Sequence, residues 1–336
     1  GYFMKLGKAR TIIVSTVVLG LFFTCLMAGT LNWYKKIIYQ SGPHRSDVLV
    51  FVERGSSHKE LKSVLAQAGV LNESYHFDVA RLVTGDTFVP KAGEYLLPSR
   101  ASLNQVISII HQGYSYQRKL TIIEGLRSSD IINILKDTPH LVGKLDKVPD
   151  EGSLSPDTYF YTRGTERKEF VRRLQQRRDI ALAEAWANRD IGLPYKTPLE
   201  ALILASIIEK EASTAPQRKL VAAVLVNRLK KSMRLQSDPT VTYEKTATPE
   251  RPPVITKTDL NKKTPWNTYV IDGLPPTPIC NPGIESLLAA VKPPRSDFLY
   301  FVSDGFGGLR FAKTLDEHNR NVRLFRRTQS KLIGKL

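Results

Sequence analysis

The stretch "LILASIIEKEA", residues 202–212, decides how this chain is to be read. From Ala201 to Glu209 every residue is apolar except Ser206 and the closing glutamate, and Glu211 follows two positions on. The pattern is that of a core helix running from about Pro198 to Glu211. On a helix, residues two apart point about 200° away from each other, so the two glutamates cannot share one environment. Glu211 lies four after Ile207, three after Ile208 and seven after Leu204, which sets its carboxyl on the apolar stripe. Glu209 lies four after Ala205 and three after Ser206, the weaker and more polar side. A carboxyl held against aliphatic side chains is desolvated and its pKa rises. An acid that keeps its proton near neutrality is what general acid catalysis needs. The competing reading ends the helix in solvent, with both glutamates paired to Lys210, Arg218 or Lys219.

Outward from this helix, the flanking elements are predicted from capping and periodicity. A strongly basic helix covers about 166–188 (Arg172, Arg173, Arg177, Arg178), and another covers about 215–231. Residues 138–165 are rich in glycine and proline, and proline dominates 249–294, which predicts ordered loops there rather than regular elements. The segment 298–314 reads as an aromatic-rich hairpin around a glycine turn, followed by a basic helix over 315–332. "DGFGG" at 304–308 lacks a following Lys-Ser/Thr and is a hairpin turn, not a phosphate loop. On the other side, 48–113 alternates strand, two helices, strand and helix: a small α+β module with Ser56 or Ser57 as one helix cap. A strand at 117–123 and a helix at 127–137 follow it.

The N-terminus bears on compartment. Residues 11–33 carry no charge. As a helix they would span about 34 Å, enough for a bilayer core, with Trp33 and Tyr34 as an interfacial aromatic belt. The run is long for a signal peptide and no clear small-residue cleavage site follows, so an uncleaved anchor is expected. Lysines and arginines flank both ends, and the large body after the anchor suits export.

The chain of 336 residues has 49 Lys+Arg against 32 Asp+Glu, a net charge of +17. That surplus suggests an anionic partner: nucleic acid, lipid headgroups or an acidic polymer. No aromatic-basic recognition motif supports nucleic acid, and none is expected as a partner. Two cysteines, Cys25 and Cys280, form no disulfide framework, and six scattered histidines show no zinc-site spacing; neither metal nor cofactor is expected.

"ASIIEKEA" (205–212), "VAAVLVNRLKKSMRLQSDPTVTY" (221–243), "NTYVIDGLPPTPICNPG" (267–283), "LYFVSDGFGG" (299–308) and "FAKTLDEHN" (311–319) occur in one order that resembles the YceG-like (MltG) endolytic murein transglycosylases. The resemblance implies an α+β protein in five parts: a cytoplasmic flank (1–10), one transmembrane helix (11–34), a linker (35–47), a LysM-like module (48–113) and a mixed α/β lytic transglycosylase domain (114–336) with a proline-rich loop region. It implies a single-pass inner-membrane protein with its catalytic domain in the periplasm. Its partners would be peptidoglycan glycan strands and peptidoglycan synthases. It places the catalytic acid on the second glutamate of E-K-E, Glu211, as the helical-face argument does independently.

Lytic transglycosylases cleave the MurNAc–GlcNAc bond with one carboxyl, because the C6 hydroxyl of the same muramyl residue is the nucleophile and proximity replaces a second carboxylate. Around that acid, "RLQSDPTVTY" (234–243) offers Gln236, Ser237, Asp238, Thr240 and Tyr243 for sugar recognition. Gln236, Asp238 and Thr240 are expected to contact substrate, and Asp238 is the best candidate to steady charge at the anomeric carbon. Asp238-Pro239 reads equally as a turn or helix cap. Asn267, Tyr269 and Asn281 are expected at the groove by resemblance, although asparagine also serves loop backbones. "EGSLSPDTYFY" (151–161) departs from the family pattern at Ser153 and Ser155, and Glu151 reads as structural. The rival readings are a non-catalytic peptidoglycan-binding scaffold for synthases and a hydrolytic muramidase.

Overall fold

The computed structural model describes residues 2–84, 88–245 and 254–333. The chain divides into two compact units, residues 1–118 and 119–336.

The first unit begins with α1 (Tyr2–Tyr39), whose segment Ile13–Tyr39 is long and apolar enough to cross a membrane. Lys35 to Tyr39, expected as linker, continue this helix. Ile37 and Ile38 are buried in the module core while Lys35 and Lys36 face outward, so two adjacent isoleucines extend the helix past the anchor. Then come β1 (Val48–Val52), α2 (His58–Gln67), α3 (Ser74–Thr84), β2 (Gly93–Leu97) and α4 (Leu103–Gln112). β1 and β2 pair antiparallel, with Val50 opposite Tyr95. The alternation in the sequence has its usual cause: Val50 and Val52 point into the core and Leu49 and Phe51 outward. Ser57, not Ser56, caps α2, and its backbone N–H donates to Glu60 Oε2 at 2.7 Å.

The second unit holds β3 (Arg118–Thr121), α5 (Ser128–Asp137), β4 (Thr158–Tyr161), α6 (Arg167–Ala187), α7 (Pro198–Glu211), α8 (Ala215–Lys230), α9 (Asp238–Thr242), α10 (Lys257–Asn261), α11 (Ile284–Val291), β5 (Tyr300–Ser303), β6 (Leu309–Ala312) and α12 (Leu315–Ile333). β3 pairs with β4 in one small sheet, and the predicted hairpin forms from β5 and β6, with Tyr300 opposite Ala312. α7 is the central helix: α6, α8, α9 and α11 pack around it, and every residue from Ala201 to Ile208 is buried. α11 lies in the proline-rich stretch where loops were predicted. "IESLLAAV" is a good helix former bounded by Gly283 and by Pro293-Pro294, so the prolines delimit a helix rather than exclude one. Residues 249–253 of that stretch lie outside the described residues.

Candidate active site

α7 starts on a capping box, in which Thr197 and Glu200 satisfy each other's backbone N–H groups, with Pro198 in the first turn. Those features register the helix so that its last turn carries both glutamates into the domain interior. The expected contrast between an apolar and a polar side does not separate them, because Ala201 to Ile208 are buried on every face of α7. Glu209, assigned to the more polar side, has a side chain only 4% exposed. It accepts from Arg218 Nη2 at 2.8 Å, from the Gly283 N–H at 2.9 Å and from Ser286 Oγ at 2.7 Å. Its carboxylate therefore caps α11 and is neutralised by α8. Arg218 also reaches Glu124 at 3.3 Å. Glu124 fills the space beside Gly283 that any side chain there would occupy.

Glu211 has a different environment. Among the described residues no lysine or arginine forms an ion pair with it. Its edge remains partly open to solvent, yet the carboxyl itself is densely surrounded. Burial pushes its pKa up to about 7; a hydrogen bond from Ser237 works against that, and the neighbouring Asp238 adds to it. Ser237 Oγ donates to Glu211 Oε1 at 2.6 Å. What distinguishes the two glutamates is the presence or absence of a cation partner.

The loop leading into α9 brings up the remaining groups. Asp238 is exposed and accepts from Tyr269 Oη at 2.6 Å. Burial, then the Asp238 carboxylate, holds the Tyr269 phenol above its usual range. Gln236 is exposed in left-handed backbone, φ 52°, and its N–H donates to the Thr268 carbonyl at 3.1 Å. Arg228 of α8 fastens this loop. Its Nη1 donates to the carbonyls of Arg234 and Leu235, both at 3.0 Å, and its Nε to the Leu299 carbonyl at 2.6 Å. Glu211, Gln236, Asp238 and Tyr269 are thus brought together, with side chains able to meet a sugar.

Three expected substrate contacts are not on this surface. Thr240 is fully buried, its hydroxyl donating to the Ser237 carbonyl at 2.6 Å and lying 2.9 Å from Thr268 Oγ1. Asn267 is buried; its amide donates to the carbonyls of Asp259, Leu260 and Lys262, and its oxygen accepts from the Tyr269 N–H. Asn281 is fully buried, accepting from the Leu154 N–H at 2.8 Å and donating to Leu126 O, Ser128 Oγ and Glu151 Oε1. Each spends its polar capacity inside the protein, as buried amides must. Thr240 and Asn267 support the loop that carries the site, and Asn281 ties three loops together.

Ser237 is not singled out by the sequence, and Glu151 is read from it only as structural, without its partners. Ser237 was visible only as one hydroxyl among several in 234–243. Glu151 accepts from the Ser128 N–H at 2.8 Å and from Asn281, and burial raises its pKa. Nothing in its local sequence signals a long-range amide partner. The 304–308 segment is a turn, with Asp304 Oδ1 accepting from the N–H groups of Phe306 and Gly308. A broad groove beside α6 is lined by Glu124, Asp157, Arg177, Ile180 and Ile284 and does not include Glu211.

Set against known proteins, residues 50–324 match the family model described as YceG-like. An endolytic murein transglycosylase of Bacillus subtilis (strain 168) is 34% identical over 264 residues, covering 76% of this chain and 71% of that protein. One from Streptococcus pneumoniae serotype 2 is 25% identical over 365 residues, covering 94% of this chain and 65% of that protein. The crystal structure of a yceG-like protein from Listeria monocytogenes is 31% identical, covers 82% of this chain and 98% of that one, and superposes with a TM-score of 0.50.

Proposed function

The chain belongs to the YceG-like family, and on that premise we propose that it is an endolytic peptidoglycan lytic transglycosylase in which Glu211 is the catalytic acid. The observation that carries this reading is a carboxyl without a cation partner, pushed up to about 7 by burial, at the edge of an exposed polar surface. Near neutrality such a group is divided between acid and carboxylate, so it can give a proton and then take one back.

The chemistry follows in two steps. Glu211 protonates the glycosidic oxygen between MurNAc and GlcNAc as the C1–O bond breaks, and positive charge develops at the muramyl C1 and ring oxygen. The Glu211 carboxylate then removes the proton from the C6 hydroxyl of the same sugar as that oxygen bonds to C1. The product is a 1,6-anhydro-MurNAc end; the enzyme recovers its proton and no water is consumed. Because the nucleophile is part of the substrate, no second carboxylate has to activate one. Asp238, held 2.6 Å from Tyr269 Oη, supplies negative charge beside the developing cation. Gln236, exposed and fixed by left-handed backbone, and Tyr269 present amide and phenol groups to the sugar hydroxyls.

α1 is the single-pass anchor in this reading. It keeps the catalytic domain in the periplasm beside the inner membrane, where nascent strands emerge and where synthases would be met. The module 48–113 is the LysM-like glycan-binding part. The test is to incubate the full chain with uncrosslinked glycan strands and weigh the released ends. Ends one water lighter than hydrolysed ends, absent with Glu211→Gln, support the reading. Hydrolysed ends, or full activity in the Gln variant, overturn it.

A further inference from the structure

We propose that Ser237 is a positioning residue that occupies Oε1 of Glu211 and so directs the transferable proton to Oε2. This rests on Glu211 being the catalytic acid.

The argument starts from how tightly Ser237 is held. The residue is 2% exposed. Its N–H donates to Thr268 Oγ1 at 2.9 Å, and its carbonyl accepts from Thr240 Oγ1 at 2.6 Å. The hydroxyls of Thr240 and Thr268 are 2.9 Å apart, and both residues are fully buried. Two buried threonines thus clamp the Ser237 backbone from both sides. Among the described residues its side chain has one partner, Glu211 Oε1, at 2.6 Å.

A serine hydroxyl has a single proton to donate. Donated to Oε1, it is satisfied only while Oε1 carries no proton of its own. The acid proton is therefore favoured on Oε2, which receives no hydrogen bond from any described residue. Once that proton has gone to the leaving oxygen, the same donor stabilises the carboxylate left behind. Ser237 thereby opposes the burial that raises the Glu211 pKa and keeps the group able to ionise. The other titratable groups facing Glu211 are Asp238 at the start of α9 and Tyr269, with Arg228 of α8 behind the phenol. None of these donates to the Glu211 carboxyl.

The test uses the full chain in detergent micelles, with uncrosslinked glycan strands as substrate and the carboxyl titration of Glu211 followed by carbon-13 NMR. Ser237→Ala is expected to raise that titration by about one pH unit, to move the alkaline limb of the rate profile upward by the same amount, and to lower the plateau about tenfold. Ser237→Thr, which keeps the donor, is expected to restore titration and limb. Ser237→Cys, a weaker donor of similar size, is expected to fall between, and it decides the matter if the alanine variant does not fold. An unmoved titration in the alanine or cysteine variant overturns the inference, even if the rate falls. If the wild type makes no anhydro ends, the enzymatic reading falls, while the titration still decides what Ser237 does to Glu211.

Discussion

Arg218 donates from Nη2 to Oε1 of Glu209 at 2.8 Å, and no comparable cation reaches Glu211 among the described residues. Two glutamates of one helical turn thus occupy different chemical states. Glu209 is ion-paired and bonded to the start of α11, whereas Glu211 is enclosed without a cation partner and its pKa is raised by burial.

Breaking the first pair strands a buried charge. Glu209→Ala and Arg218→Ala are each expected to cost about 3–5 kcal/mol of folding stability, because Glu209 is 4% and Arg218 12% exposed at the side chain. Thermal or denaturant unfolding measures this. A loss confined to activity, with stability unchanged, would contradict the structural role.

Glu211→Gln is expected to behave oppositely: activity is lost and the fold is retained. The sign follows from its raised pKa. Below the unfolded value, near 4.5, Glu211 is neutral in both states and costs nothing. As pH rises from there through about 7, ionisation favours the unfolded chain and stability falls. The Gln variant has no such loss, so it should gain on the wild type across that window, by at most about 3 kcal/mol. Parallel urea titrations of the two proteins at pH near 4.5 and above 7 give the difference directly, and contributions from Glu124 and Glu151 cancel in it.

Much of the fold is legible in the sequence because its signals are local. Thr197-Pro198 before an apolar run defines α7, and alternating aromatics around glycine define the hairpin. The sequence also sets Glu211 apart from Glu209, by helical face; the structure gives the two carboxyls different surroundings for another reason. That argument assumes one side of α7 meets solvent, whereas all eight residues from Ala201 to Ile208 are buried, whichever face they lie on. The discriminating cation comes from α8, seven residues beyond Glu211, and which glutamate it reaches depends on how the two helices pack. The same limit applies to Asn281, whose partners Leu126, Ser128, Glu151 and Leu154 lie more than a hundred residues upstream.

Asn281→Ala is accordingly expected to act on stability rather than on substrate affinity. Removing its amide leaves the Leu154 N–H and Ser128–Glu151 groups without their partner in a buried site, a loss of about 3 kcal/mol. KM for glycan strands should stay within about twofold of wild type at temperatures where the variant is folded. A raised KM in a fully stable variant would restore Asn281 to the substrate groove.

Tyr269→Phe removes the donor 2.6 Å from Asp238 Oδ1 and leaves the ring in place. It should lower kcat about tenfold with little change in melting temperature, as expected for a group that holds a charge beside the reacting centre. Asp238→Asn should reproduce the loss, and the double variant should be no worse than the more damaged single one. Additive losses would mean that the two side chains act separately.

The most direct test of the whole account is the titration of Glu211 itself. With carbon-13 in the glutamate carboxyls and the signal assigned by its absence in Glu211→Gln, the resonance should titrate near 7. A midpoint near the ordinary 4.5 would mean that the carboxyl is solvated like any surface glutamate, and the assignment of Glu211 as general acid would be contradicted.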